Sequence, residues 1–166
     1  FWDHYWKNGE NDKLGWRLEY NMKHRGDVYA THGLGPVAQA LDIHRGDRMK
    51  TLVAMDTKSV VGKSLVEERT GQPCENFRNG DHTTTLIRTE NGKVIEIQHD
   101  VMTPQPYNRL YQLTGTKGFA NKYPIEGYAL DAKQLNASGV VPEVDNSNSH
   151  SFMPKKDMEA LVQKYQ

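Results

Sequence analysis

The side chains best able to do chemistry gather between positions 17 and 32, where Arg17, His24, Tyr29 and His32 stand closer together than any comparable set. An imidazole exchanges protons near neutral pH, a phenol donates or accepts a hydrogen bond, and a guanidinium offers a planar fork of donors to carbonyl or sugar oxygens. His32 falls just ahead of an expected helix start, where the helix dipole disfavours the imidazolium. A ring held neutral there suits a base or a hydrogen-bond partner. Tyr29, three residues earlier, needs a loop or turn to face the same cavity. Plainer roles compete with each reading. A lone histidine is more often structural, an arginine after a tryptophan more often serves a salt bridge, and Trp6, Trp16 and Tyr107 are core aromatics before they are sugar platforms.

Other chemistries find less support. Paired-carboxylate glycosidases hold two acids about 5 to 9.5 Å apart, and no pair stands out among the 21 Asp and Glu. No two histidines lie three to five residues apart and Cys74 is the single cysteine, so the pattern predicts neither a metal site nor a disulfide. Gly33-Leu34-Gly35-Pro36-Val37-Ala38 fits the spacing G-x-G-x-x-A, with Asp56 following as a ribose-binding acid would. The residues before it, Asp27 to His32, are half polar, whereas a dinucleotide loop needs a buried apolar strand. A glycine-rich helix entry is the better reading. Arg45-Gly46-Asp47 and Asn136-Ala137-Ser138 are tripeptides that arise readily by chance.

The 166 residues carry 21 Lys and Arg against 21 Asp and Glu, a net charge of zero. That balance speaks against a nucleic-acid or polybasic membrane partner and favours a neutral ligand. No apolar run approaches the roughly 20 residues of a membrane span.

The elements that would position these groups follow from periodicity. Leu14 to Tyr20 alternates loosely and reads as a strand running into a loop that turns at Gly26. Pro36, Val37, Ala40 and Leu41 predict a helix over about 35–44, entered at Gly35-Pro36 and ended by Gly46. Met49 to Thr57 reads as a strand and Ser59 to Glu68 as a helix. Thr83 to Glu90, Asn91-Gly92 and Lys93 to Val101 predict a hairpin, with Asn-Gly supplying positive φ angles. Tyr107 to Thr116 alternates as a further strand and Gly115 to Gly118 forms a second turn. Pro154 to Tyr165 places Met158, Leu161, Val162 and Tyr165 on one helical face. Helices flanking hairpin-linked strands predict an α+β fold with an open, mainly antiparallel sheet and helices on one face. One domain spanning 1–166 is expected, with an aromatic N-terminal segment at 1–12 and a polar loop at 142–152.

The run Trp16-Arg17-Leu18, Gly26, Tyr29-Ala30-Thr31-His32-Gly33-Leu34-Gly35-Pro36 and Arg45-Gly46-Asp47-Arg48 resembles glycoside hydrolase family 109. Gly80-Asp81, Thr84-Thr85-Leu86-Ile87, Gln98-His99-Asp100, Pro106-Tyr107 and Gly115-Thr116-Lys117-Gly118 extend the likeness to about position 120. These are NAD-dependent α-N-acetylgalactosaminidases of the glucose-fructose oxidoreductase and inositol dehydrogenase superfamily. The resemblance implies that this chain is most of the second, substrate-binding domain, with the NAD-binding Rossmann domain absent and no cofactor-binding residues of its own. It also implies Arg17, Tyr29, Ala30, Thr31, His32 and Tyr107 as sugar contacts, His32 and Tyr29 as the proton-transfer pair, and no metal. Ala30 departs from the family, where Pro is common.

The implied reaction releases terminal α-linked N-acetylgalactosamine from a glycan by oxidation at C3, loss of the C2 proton, elimination, water addition and re-reduction, with retention. The isolated chain is expected to be inactive, and a bare sheet face would favour a homo-oligomer. The competing expectations are an NAD(P)-dependent sugar dehydrogenase domain and a carbohydrate-binding or assembly module. An exported, periplasmic or cytoplasmic place in a bacterium fits equally.

Overall fold

The computed structural model describes residues 15–140 and 151–166. The aromatic segment 1–12 and positions 142–150 of the polar loop lie outside them. In chain order the elements are α1 (Trp16–Lys23), α2 (Ala30–Ala40), β1 (Met49–Asp56), α3 (Val61–Thr70), β2 (His82–Thr89), β3 (Val94–Asp100), β4 (Gln112–Gly115), β5 (Gly118–Asn121), β6 (Gly127–Leu130), α4 (Ala132–Ser138) and α5 (Lys155–Tyr165). The class is α+β with antiparallel strands, as expected. The strands form two three-stranded sheets, β1-β2-β3 and β4-β5-β6, and the chain divides between them, after Gln105, into two compact units.

In the first unit, β2 is the central strand, with Ile87 opposite Leu52 on β1 and Ile95 on β3. Thr83, Thr85, Ile87 and Thr89 alternate into the interior, the period-two burial of a sheet covered on one face. Helix α2 packs against β3, and a Cβ added at Gly33 would stand 3.8 Å from the Ile97 side chain. Edge strand β1 is exposed along most of its length. The hairpin between β2 and β3 forms where expected but with a different turn. Glu90, Asn91 and Gly92 make a three-residue connection in which Gly92 alone, at φ +82°, is left-handed.

Two expectations fail at the N-terminal side. Of the segment read as a strand at 14–20, position 14 lies outside the described residues and 16–20 belong to helix α1, because Leu18 and Asn21, three apart, are buried while Trp16, Tyr20 and Lys23 face solvent. Helical spacing of buried residues outweighs a loose alternation. Helix α2 begins at Ala30, five residues earlier than Gly35-Pro36 suggested, and ends at Ala40. Asp27 Oδ1 accepts the Tyr29 N–H at 2.9 Å and sets this earlier entry. Pro36 therefore lies inside the helix and forfeits one hydrogen bond there.

The core of this unit gathers Leu18, Val66, Cys74, Phe77 and Met102, joining α1, α3 and the loop after β3. Asp81 caps α3 from outside, its carboxylate accepting the N–H groups of Val60, Val61 and Gly62 at 2.9 to 3.0 Å. Gly80 beside it permits the approach, since a Cβ there would meet the Thr57 carbonyl at 2.3 Å.

In the second unit, Gly115 and Gly118 face each other across the β4–β5 turn. The regular strand before that turn is shorter than the predicted 107–116, because Tyr107 to Tyr111 makes no ladder. Asp131 caps α4 through the Gln134 N–H at 2.9 Å, α5 packs on β6, and the Phe119 and Phe152 rings lie 6.0 Å apart.

Candidate functional site

Arg17, Tyr29, Ala30, Thr31 and His32 lie in the first unit, where α1 and the entry to α2 bring three of them together. Arg17 Nη2 stands 3.4 Å from the Tyr29 hydroxyl, and its guanidinium carbon lies 4.5 Å from the Trp16 ring centroid and 5.8 Å from that of Tyr29. The Tyr29 and His32 rings sit 4.5 Å apart, tilted by 30°. That is the turn-borne proximity which their three-residue spacing required. His32 occupies the third position of α2, inside its first turn. Tyr29 is half-buried and His32 exposed.

A buried amide bridge holds this arrangement from behind. Asn21 Nδ2 donates to the Arg17 carbonyl at 2.8 Å and Asn21 Oδ1 accepts from Asn79 Nδ2 at 2.7 Å. Asn79 Oδ1 in turn accepts the Gly26 N–H at 3.0 Å. Both residues are about 1% exposed, and the bond between the two amides is shielded from water. The bridge ties the helix that carries Arg17 to the loop that carries Tyr29. Asn21 stands in a polar stretch that reads as a loop, and no pattern separates a buried asparagine from a turn asparagine.

Tyr107 belongs to the second unit, where it is 56% exposed. Its carbonyl accepts the Tyr123 hydroxyl at 2.8 Å, the two rings meet edge to face at 6.5 Å, and the Arg109 guanidinium lies 5.6 Å from its ring centroid.

The first unit also carries an exposed ion pair, Arg25 Nε to Asp56 Oδ2 at 2.9 Å. The hydrogen bond to Arg25 outweighs burial and holds the Asp56 carboxyl below its usual range. This pair lines a depression of about 320 Å³ with Lys58, Ser59 and Arg78, and a second of about 510 Å³ is lined by Glu19, Met22, Lys23, Asn76 and Arg78. Neither is lined by Tyr29 or His32, whose chemistry lies on an open surface.

Gly33, Gly35 and Ala38 lie within α2, and the element before that helix is α1. A dinucleotide loop needs a strand that turns at the glycines into a helix N-terminus, so these residues do not fit an NAD cradle. Among the described residues no cluster of three or more His, Cys, Asp or Glu side chains could hold a metal ion.

Comparison with known proteins places the chain. The family described as Glycosyl hydrolase 109, C-terminal domain, matches residues 4–165. The chain belongs to glycosyl hydrolase family 109. Glycosyl hydrolase family 109 protein 5 of Phocaeicola vulgatus is 83% identical over the whole chain, which covers 32% of that protein. A second P. vulgatus relative, protein 3 of the family, is 60% identical over 99% of the chain, covering 30% of its length. The family 109 protein of Porphyromonas gingivalis is 54% identical over 99% of the chain, covering 34% of its length. This chain thus spans about a third of the family 109 relatives it matches.

Proposed function

We propose that the full-length protein carrying this chain hydrolyses terminal α-linked N-acetylgalactosamine with retention, and that this chain supplies the sugar-hydroxyl contacts and the proton transfer at C2. The observation that carries the reading is the close, tilted Tyr29–His32 ring pair with Arg17 at the phenol, in a chain of a glycosyl hydrolase family. Arg17 holds sugar hydroxyls, and the His32 imidazole or the Tyr29 phenol takes and returns the C2 proton. Side chains of either type act as general acids or bases when they lie within hydrogen-bond reach of the proton they move. Asp27, the carboxylate this run does contain, is 8% exposed and bonded to the Tyr29 N–H, so it is poorly placed as a nucleophile.

NAD is the cofactor of this reading, held mainly by an N-terminal domain of the full-length protein and not by this chain. Proton work at C2 is the share of Tyr29 and His32. A glycan bearing α-N-acetylgalactosamine is the substrate class, and association of copies through the exposed side of the first sheet belongs to the same proposal.

Hydrolysis run in D2O by the full-length protein tests it. Released N-acetylgalactosamine should carry deuterium at C2, because the proton removed there is returned from a group that exchanges with solvent. Product without C2 deuterium would point to direct displacement at C1, and steady NADH production from free sugar would point to a dehydrogenase.

A further inference from the structure

His99 is a buried titratable side chain that the proposed reaction leaves unused. On β3 it pairs in register with Thr83, which places it on the covered face of the first sheet. Its side chain is 11% exposed, and Nε2 has no hydrogen-bond partner. A buried polar atom left unmatched is costly, and a native structure that retains one has a use for it or closes on it. The group that Nε2 faces is Asp27, with Oδ1 at 3.9 Å and a side chain 8% exposed. That same Oδ1 accepts the Tyr29 N–H, the bond that sets the entry to α2. His99 therefore stands behind the carboxylate on which the placement of Tyr29 and His32 depends.

We propose that His99 is a positioning residue: its imidazole directs Nε2–H at Asp27 Oδ1, steers the carboxylate onto the Tyr29 N–H, and so holds the Tyr29 and His32 rings at their observed separation. This inference rests on reading those two rings as the site. The ionisable groups facing His99 are Asp27 from the loop before α2, Asp100 on β3 and His82 on β2, the last with Nδ1 3.5 Å from Asp100 Oδ2. Burial outweighs the two carboxylates and keeps His99 below its ordinary pKa, with His82 acting in the same direction. Protonation at acid pH turns the contact into an ion pair that draws Asp27 from the Tyr29 N–H.

The test compares wild type, His99→Leu and His99→Gln in the full-length protein, because a glutamine amide can donate where the imidazole does and leucine cannot. NMR contacts between the Tyr29 and His32 rings should weaken in His99→Leu and persist in His99→Gln, a readout that needs no substrate. With a chromogenic α-N-acetylgalactosaminide, kcat should fall about tenfold in the leucine variant at little-changed KM, and the glutamine variant should recover most of it. The acid limb of the wild-type kcat profile should move in the glutamine variant. Ring contacts unchanged in a folded His99→Leu, or lost equally in both variants, would overturn the inference. If the leucine variant fails to fold, a glutamine variant with wild-type ring contacts and a moved acid limb supports the proposal, and an unmoved limb overturns it. A wild type inactive on the glycoside but with the predicted ring contacts would refute the proposed function and leave the positioning role standing.

Discussion

The two units hold their candidate sugar contacts in opposite ways. In the first, Arg17 and Tyr29 are tied together from behind by Asn21 and Asn79, which are about 1% exposed. In the second, Tyr107 is 56% exposed and is kept in place by one hydrogen bond to its carbonyl and by its aromatic and cationic neighbours. Buried hydrogen bonds resist reorganisation, and catalysis depends on groups that need not reorganise when charge moves. On the function proposed above, the contrast suits proton chemistry in the first unit and adaptable sugar contact in the second.

The sharpest way to break that division is His32→Ala in the full-length protein. Turnover of an α-N-acetylgalactosaminide should fall by about 10²- to 10⁴-fold with thermal stability unchanged, since the ring is exposed and offers general acid–base catalysis. Asn79→Ala comes next. Loss of its side chain strands the Gly26 N–H and the Asn21 carboxamide, so denaturant unfolding should show a loss of about 2–3 kcal/mol and turnover should fall with it. A stable, fully active Asn79→Ala protein would mean that the bridge does not position the site.

Tyr107→Ala should act on affinity. An exposed aromatic contact is worth about 0.5–1.5 kcal/mol, so KM should rise about three- to tenfold while kcat and stability stay near wild type. A collapse of kcat in this variant would erase the distinction between the units. The smallest effect is on stability against pH. Burial keeps His99 below its ordinary pKa, so as pH falls through the unfolded value near 6.5 the unfolded chain takes up a proton that the folded chain refuses. Stability is therefore full above that value and declines below it, which urea titrations at stepped pH would read. A second decline follows below about pH 4. There burial pushes Asp47 up, but the Asn91 N–H, the Thr89 hydroxyl, the Arg48 N–H and Lys93 outweigh it and bring it to about 2.

What could be read from the sequence tracks how locally each feature is encoded. The hairpin of β2 and β3 was legible because alternation and an Asn-Gly pair lie within about 20 residues, although its turn uses only one left-handed position. The Tyr29–His32 pairing was legible in outline, since three residues span one turn. Helix α1 was misread because its buried face, Leu18 and Asn21, includes a polar residue that hydropathy counts as solvent-facing. The early start of α2 was missed because the strong Gly-Pro signal at 35–36 masked the weaker one, Asp27 two residues before Tyr29. Asn79 escaped entirely, and His99 stood out only within the Gln98-His99-Asp100 likeness, with no role attached. They reach the site across about 50 and 70 residues of chain, and only the fold brings them there.

The central claim is that the Tyr29–His32 pair moves a sugar proton in a glycoside hydrolysis. Its most direct test is aglycone release from a chromogenic α-N-acetylgalactosaminide by the full-length protein and by its His32→Ala variant, with NADH absorbance followed in the same cuvette. The account predicts steady release without NADH accumulation in the wild type and near-complete loss in a folded His32→Ala protein. Release at the wild-type rate by that variant would contradict it.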